Sequence, residues 1–135
     1  AKATGRTAFA DDSGLVVDAL HGAPGVFSAR FAGNGAGDAA NNSLLLERLR
    51  GVEDRGARFV CAIAVAERGH ALATFRGEVE GRIIDQPRGE NGFGYDPLFF
   101  YEPYGCTFGE ATPEQKTMVS HRSRAVEQMV RWLLR

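Results

Sequence analysis

Residues 58–67 read RFVCAIAVAE, and this stretch decides the fold because it predicts the central strand of a sheet. Apolar side chains occupy both alternating sets of positions, as in a strand that is buried on both faces. Residues 68–70 predict a tight return, and residues 71–79 predict an antiparallel partner strand. A sheet built around residues 58–67 is therefore the predicted core.

Other segments add strands and a helix around this core. Residues 7–10 predict a short buried strand that runs into a polar turn at residues 11–14, a location that ligand sites of α/β sheets favour. From Asp38, a good N-cap residue, residues 39–49 place leucines on one face and predict a helix. A short aromatic strand is predicted at residues 97–101. These elements predict an α/β fold.

The end of the chain predicts two capped helices. Thr112 is followed by Pro113 and then by Gln115 at the third helical position, which is the pattern of a capping box. Ser120 can cap the next helix, over residues 122–134, whose apolar residues form a broad stripe. We expect this stripe to pack against the sheet.

Composition indicates one neutral domain over residues 1–135. Sixteen Lys and Arg against seventeen Asp and Glu give a formal charge of −1, which argues against binding to nucleic acid. The longest apolar run, residues 60–66, is too short to cross a bilayer, so no membrane role is expected. Cys61 and Cys106 form neither a disulfide framework nor a zinc cage, and they fit the reducing cytoplasm.

The first candidate cluster is the pair Asp11 and Asp12. Adjacent residues of a strand point to opposite faces, so one carboxylate is expected to face a given site while the other caps or orients. An Asp carboxylate is a weak general base at neutral pH but a good ligand for Mg²⁺. Metal-assisted hydrolysis therefore fits the pair. An Asx-type turn that satisfies local backbone donors fits residues 11–14 equally well.

The second candidate cluster is the segment GFGYDP at residues 92–97. Gly92 and Gly94 let the backbone pass close to a flat ligand, so the aromatic ring between them can serve as a stacking platform for a base. The alternative is a Gly-Pro turn with Phe93 and Tyr95 in the core. On this segment alone, the core alternative is favoured.

The third candidate cluster is cationic, with Lys116 on the first capped helix and His121 and Arg122 at the start of the second. The N-terminus of a helix favours anions and carbonyl oxygens, and positive side chains there oppose the dipole, a local cost that function can explain. A solvated basic turn is the plainer alternative. Together the three clusters provide a metal-binding carboxylate, a stacking ring and cationic donors, the parts of a nucleotide polyphosphate site.

Four motifs follow one another in an order that extends over nearly the whole chain. They are ADDSGL at residues 10–15, GAPGV and SARFAG within residues 22–33, GFGYDPLF at residues 92–99, and Lys116 with SHR at residues 120–122. Together they resemble the inosine/xanthosine triphosphate pyrophosphatases. Any single motif is weak, whereas four in this order are highly specific.

This resemblance implies an α/β fold with a mixed, elongated sheet flanked by helices, and a cytoplasmic homodimer. It also implies hydrolysis of a purine nucleoside triphosphate (ITP, dITP or XTP) to the monophosphate and pyrophosphate, with Mg²⁺ as the cofactor. ATP is expected to be a poor substrate, because donors aimed at a purine 6-keto oxygen are left unpaired by an amino group.

The resemblance also assigns roles by position. Asp12 matches the catalytic and metal-binding carboxylate, and Ser13 matches a serine that contacts the substrate. The base-binding matches are Phe93 as the stacking ring, with Gly94, Tyr95 and Asp96 in the same segment, and Lys116, His121 and Arg122 at the purine edge.

One departure from the family concerns the triphosphate. Members begin with a strand and a Thr-x-Asn-x-x-Lys loop that grips the phosphates, followed by helices, and these parts do not precede Ala1. We therefore expect residues 1–135 to correspond to roughly the C-terminal two thirds of such an enzyme, without its first strand and helices. The alternative is a catalytically inactive remnant that binds nucleotide or dimerises.

Overall fold

A six-stranded sheet forms the centre of the molecule in the computed structural model, which describes residues 7–25, 27–67 and 70–134. Its strands lie in the order β2-β1-β3-β4-β5-β6, and every described pairing is antiparallel. The predicted α/β fold is confirmed, and of the mixed sheet that was expected the described strands show antiparallel pairing alone. The strands are β1 (Thr7–Val17), β2 (Pro24–Gly25), β3 (Gly56–Glu67), β4 (His70–Ile83), β5 (Phe99–Tyr101) and β6 (Cys106–Thr107), and the helices are α1 (Asp38–Arg48), α2 (Pro113–Val119) and α3 (His121–Leu133).

Strand β3 lies between β1 and β4, as predicted, but only one of its faces is well covered. Its odd-numbered side chains, among them Phe59, Cys61 and Ile63, are buried, whereas Val60 and Ala62 are only half-buried. Helix α3 packs on the covered face, which we call the helix face; the opposite side is the open face. The expected burial on both faces was wrong, because the described helices do not cover the open face.

Residues 11–14 continue strand β1 and do not form the predicted polar turn. Their backbone pairs with residues 60–63 of β3. The chain also approaches β2 closely here, since a Cβ on Gly14 would lie 2.2 Å from the carbonyl oxygen of Gly25. Phe9 is 55% exposed, so the start of this strand is not buried as predicted. Long-range pairing with β3 therefore overrides the local turn preference of Asp and Ser.

Helix α1 forms where the leucine pattern predicted it, and Leu45 and Leu49 are buried. Its N-cap residue is Gly37, with a φ of +88°, and not Asp38 as expected. Asp38 is instead the first helical residue. Its carboxylate accepts a hydrogen bond from the distant backbone N–H of Gly94 and does not cap its own helix.

Both predicted caps of the last two helices are confirmed. The Thr112 hydroxyl accepts a hydrogen bond from the N–H of Gln115 (3.1 Å), and the Gln115 side chain accepts one from the N–H of Thr112 (2.9 Å). The Ser120 hydroxyl accepts from the N–H of Ser123 (3.1 Å). These caps fix where α2 and α3 begin and so place the cationic residues of both helices.

Helix α3 approaches the sheet closely at Gly77. A Cβ there would lie 2.1 Å from the carbonyl oxygen of His121 and 2.5 Å from the amide nitrogen of Ala125, so only glycine fits. Ala125 is buried at this contact, but the apolar stripe that packs on the sheet is narrower than predicted. Val126 and Val130 are 36% and 42% exposed, because only one side of the helix contacts the sheet.

Elements elsewhere differ from prediction in their bounds. The strand predicted at residues 97–101 begins at Phe99, after a 3-10 turn over Asp96–Leu98. Strand β4 continues beyond the predicted end to Ile83. Residues 68–69 of the predicted return lie outside the described residues. None of the described helices is long and apolar enough to cross a membrane.

Candidate active site

A cavity of about 180 Å³ opens between the helix face of β1, the start of α1 and the loop before β5. Most residues that were predicted to form the site line this cavity, which we call the helix-face cavity. They are Ser13, Phe93, Gly94, Tyr95, Asp96, Lys116 and His121. Asp12 and Arg122 do not line it. The structure therefore brings together most of the residues expected to bind a base and separates them from Asp12.

The ring of Phe93 projects from the loop and is 76% exposed. The Asp96 carboxylate accepts a hydrogen bond from the Phe93 N–H (2.9 Å). A Cβ on Gly92, where φ is +74°, would lie 2.1 Å from that carboxylate, so the turn requires glycine. Of the two aromatic residues that the core alternative placed inside, only Tyr95 is buried. Phe93 is thus available as a platform.

Asp96 and Lys116 form an ion pair beneath this platform, with Nζ 2.5 Å from Oδ2. The Asp96 side chain is 3% exposed, so its charge is buried and paired. The same ammonium group lies 4.5 Å from the centroid of the Phe93 ring, within cation–π distance. Lys116 and Asp96 therefore hold the loop and support the ring.

Tyr95 forms the buried floor of the loop. Its hydroxyl donates a hydrogen bond of 2.6 Å to the carbonyl oxygen of Ser28. Burial, together with the negative charge of Asp38, raises the pKa of Tyr95 to about 12. The hydroxyl therefore remains a donor at neutral pH and ties the loop to the segment that follows β2.

Two polar atoms on the wall of the cavity have no hydrogen-bond partner among the described residues. They are the hydroxyl oxygen of Ser13 and Nδ1 of His121, and both are buried. The His121 ring stacks on Phe59, with 5.1 Å between centroids. Burial and the positive charges of Lys116 and Arg122 lower the pKa of His121 to about 4, against the opposing effect of Asp11. Its imidazole is therefore neutral at physiological pH and can accept or donate a hydrogen bond.

Arg122 lies outside the cavity wall, with an exposed guanidinium that forms an ion pair with Asp11. This ion pair joins the start of α3 to β1. Asp11 thus has the orienting role that the sequence left to one member of the aspartate pair.

Asp12 points to the open face of the sheet. There it lines a second concavity of about 220 Å³, together with Val60, Ala62 and Arg76. Its carboxylate is exposed, and Ser13 and Gly14 lie on the walls of both concavities. We call this second one the open-face concavity. Strand β1 lies between the two concavities.

Sequence reasoning missed two residues of α1 that contact the loop. Asp38 Oδ2 accepts from the N–H of Gly94, and Asn42 Nδ2 donates to the carbonyl oxygen of Gly94. Their spacing of four places both on one helix face, which is a usable signal. The sequence did not show which distant segment that face contacts.

The Ham1 family model matches residues 1–132 of this chain. The chain belongs to the Ham1 family. It is 49% identical to the dITP/XTP pyrophosphatase of Desulfotalea psychrophila over 140 residues, which cover 98% of this chain and 63% of that protein. It is 51% identical to the dITP/XTP pyrophosphatase of Syntrophobacter fumaroxidans, covering 98% of this chain and 60% of that protein.

Solved structures of Ham1 proteins share its fold. The Staphylococcus aureus Ham1 protein superposes with a TM-score of 0.95 at 44% identity, covering 98% of this chain and 69% of that chain. A nucleoside-triphosphatase / dITP/XTP pyrophosphatase from Mycobacterium abscessus gives a TM-score of 0.82 at 47% identity, covering 93% of this chain and 65% of that one. This Ham1-family chain therefore spans somewhat less than two thirds of the length of the curated relatives named above.

Proposed function

We propose that this chain provides the base-binding site and the catalytic carboxylate of a nucleoside triphosphate pyrophosphatase. Its residues 1–135 form one domain, which corresponds to the C-terminal two thirds of the enzyme. The substrates are ITP, dITP and XTP, and the products are the monophosphate and pyrophosphate. The observation that carries the proposal is a pair of buried atoms, on Ser13 and His121, that have no hydrogen-bond partner among the described residues and lie in a cavity beside the exposed ring of Phe93.

The helix-face cavity suits one end of a nucleotide. Pockets for drug-sized ligands are about 300–1,000 Å³, whereas this one has about 180 Å³ and so holds a flat ring system but not a whole nucleotide. Phe93 offers a face for stacking, and the neutral His121 offers a nitrogen for the edge of a purine. The Lys116 ammonium group on the cavity wall can only donate, so a 6-keto oxygen can accept from it, whereas a 6-amino group leaves that donor unpaired, at a cost of about 1–3 kcal/mol. ATP is therefore disfavoured.

The rest of the nucleotide crosses strand β1 to the open face. Ser13 and Gly14 line both concavities, and the described strands leave the edge of β1 before Leu15 unpaired, since β2 pairs only with Leu15 and Val16. A triphosphate that passes this edge reaches Asp12 and Arg76, which provide a carboxylate and a cation. Base and phosphates thus occupy opposite sides of one strand.

Asp12 fits a role in holding Mg²⁺. The described residues contain no group of three or more His, Cys, Asp or Glu side chains that could form a protein-only metal site. Mg²⁺ in nucleotide enzymes is usually held by one or two carboxylates together with substrate phosphates, so one exposed carboxylate suffices on the protein side. The bound metal supplies charge neutralisation on the phosphate oxygens.

Asp12 also positions the attacking water and accepts its proton. Water attacks the α-phosphorus, the bond between the α- and β-phosphoryl groups breaks, and pyrophosphate leaves. The proton then passes from the carboxyl group to solvent.

A second candidate is a catalytically inactive remnant that binds nucleotide or dimerises. The apolar side of α3 favours it, because Val126, Val130 and Leu133 are exposed on one side of the helix. Exposed apolar patches mark interaction surfaces, and a homodimer is the assembly that the resemblance implies. The first candidate predicts that nucleoside triphosphate is hydrolysed, whereas the second predicts binding without hydrolysis.

The deciding experiment measures pyrophosphate release with Mg²⁺ from ITP, dITP, XTP and ATP. It uses the 135-residue chain and the same chain joined to a Thr-x-Asn-x-x-Lys segment of the kind that the resemblance implies. We expect turnover of the keto purines over ATP in the extended chain, and binding with little turnover in the short one. Binding without turnover in both chains would favour the remnant, and no binding in either would refute the proposal.

A further inference from the structure

Two side chains of helix α1 hold the loop of Phe93 by hydrogen bonds to the backbone N–H and carbonyl groups of Gly94. Asp38 Oδ2 accepts a hydrogen bond of 2.9 Å from the N–H of Gly94. Asn42 Nδ2 donates one of 3.1 Å to the carbonyl oxygen of Gly94. Residues four apart lie on the same face of a helix, so the two side chains grip Gly94 from one direction.

This grip matters because the ring of Phe93 is not held by packing. The ring is 76% exposed, and its described ring contact is the ammonium group of Lys116 at 4.5 Å. An aromatic side chain in the core takes its orientation from its neighbours, whereas this ring takes its orientation from the backbone of its own loop. The Asp96 carboxylate fixes that backbone at the N–H of Phe93, and helix α1 fixes it at Gly94.

Helix α1 is itself firmly anchored. Leu45 and Leu49 are fully buried in the main core. The side chain of Asn41 accepts from the N–H of Ala32 (2.8 Å) and donates to the carbonyl oxygen of Ala29 (3.0 Å). The helix is therefore a rigid support against which a loop can be positioned.

The Asn42 amide has a defined orientation. Its nitrogen contacts the Gly94 carbonyl, and its oxygen is buried without a partner among the described residues. Reversing the amide would place two oxygens against each other, so the unpaired oxygen is a cost accepted for this contact. A buried polar group used in this way indicates that the contact has a purpose beyond packing.

We propose that Asp38 and Asn42 are positioning residues that set the orientation of the Phe93 ring, and through it the affinity for the purine base. This inference rests on the proposed function for its ligand, but its structural part is independent of it. Asn42 does not line the helix-face cavity, and the Asp38 carboxylate, on the cavity wall, accepts a hydrogen bond from the backbone of Gly94. They act through the backbone of Gly94.

The first arm of the test observes the ring without any ligand. In the 135-residue chain, NMR should show nuclear Overhauser contacts between the Phe93 ring and the Lys116 side chain, and slow exchange of the Gly94 amide proton. Asp38→Ala with Asn42→Ala should remove both signals while the thermal unfolding midpoint changes little. Ser43→Ala, on an exposed position of the same helix, should leave both signals intact. Unchanged contacts in the double variant would overturn the inference.

The second arm measures binding of ITP by calorimetry. We expect the Asp38→Ala, Asn42→Ala variant to bind about threefold more weakly, a smaller loss than removal of the ring itself causes, because a misoriented ring still stacks in part. Asp38→Asn, which keeps an acceptor oxygen, should recover most of the loss at that position. In a Phe93→Ala background the double substitution should have no further effect, because residues that act through one group are not additive.

The outcomes separate the inference from the proposed function. Additive losses in the Phe93→Ala background would overturn the inference even if ITP binds well. Failure of the unsubstituted chain to bind ITP would count against the proposed function. In that case the NMR arm alone decides whether α1 orients the ring.

Discussion

The two concavities on either side of β1 differ in how completely the protein builds them. The helix-face cavity is enclosed by a buried tyrosine, a buried ion pair and a neutral histidine stacked on Phe59. The open-face concavity has the exposed side chains of Asp12 and Arg76 beside the half-buried Val60 and Ala62. Under the proposed function, the base-binding side is therefore preorganised in this chain, whereas the catalytic side depends on charges that the substrate brings.

The largest expected effect tests the open-face concavity. Asp12→Asn in the extended chain should reduce kcat by about 100- to 10,000-fold, because an amide is a poor Mg²⁺ ligand and not a base. Thermal unfolding, and ITP binding measured without Mg²⁺, should change little, since Asp12 is exposed and lies outside the helix-face cavity. Pyrophosphate release and calorimetry check the two halves of this expectation. Near-normal kcat at saturating Mg²⁺ would remove Asp12 from the mechanism.

The next effect tests the packing of helix α3 on the helix face of the sheet. Gly77→Ala should lower the free energy of unfolding by about 3 kcal/mol, the upper part of the range for overpacking, because the new Cβ meets backbone atoms of α3. Thr74→Ala, on the exposed open face of the same strand, should change it by less than about 0.5 kcal/mol. Urea unfolding of both variants makes the comparison. Equal effects would mean that the two faces are not packed differently.

A smaller effect tests the platform. Phe93→Ala should weaken binding of ITP, XTP and ATP alike by about 1 kcal/mol, the low end of the range for base stacking, because the ring is mostly exposed. Phe27→Ala is a matched control, since that ring is also exposed but does not line the helix-face cavity. Isothermal calorimetry with the three nucleotides gives the answer. A loss confined to keto purines would contradict a stacking role.

A separate expected effect, on stability alone, is a pH dependence. The pKa of His121 is lowered from 6.5 to about 4 in the folded chain, chiefly by burial. The unfolded chain therefore binds a proton more readily, and this residue destabilises the fold as the pH falls from about 6.5 to about 4. Unfolding followed at pH 7 and pH 4.5 should show a smaller pH-dependent loss in His121→Asn than in the unsubstituted chain. An identical loss in both would show that His121 is not responsible.

The sequence predicted best those structural features that depend on residues close together in the chain. The caps at Thr112 and Ser120 are local hydrogen bonds over three residues, and the structure has both. The turn expected at residues 11–14 failed because pairing with β3, some fifty residues away, decides that segment. Likewise, Asp is a residue type that often caps a helix, and only the folded chain shows that the Asp38 carboxylate accepts a hydrogen bond from the N–H of Gly94 instead.

The candidate site followed the same rule. Alternation along β1 predicted that the two aspartates face opposite ways, and they do. Alternation does not say which face a helix will cover, so the sequence could not divide the site between the two faces. The roles assigned to Asp12 and to the base-binding residues remain predictions.

Among the described strands, none pairs with the edge of β1 before Leu15, and this has a practical consequence for handling the protein. An exposed strand edge is a template for a second copy, and carboxylates on such an edge oppose that pairing by repulsion. Asp11 and Asp12 lie on this edge, and Asp11 is partly neutralised by Arg122. Self-association of this chain should therefore increase at high ionic strength, because salt screens the repulsion between these exposed carboxylates.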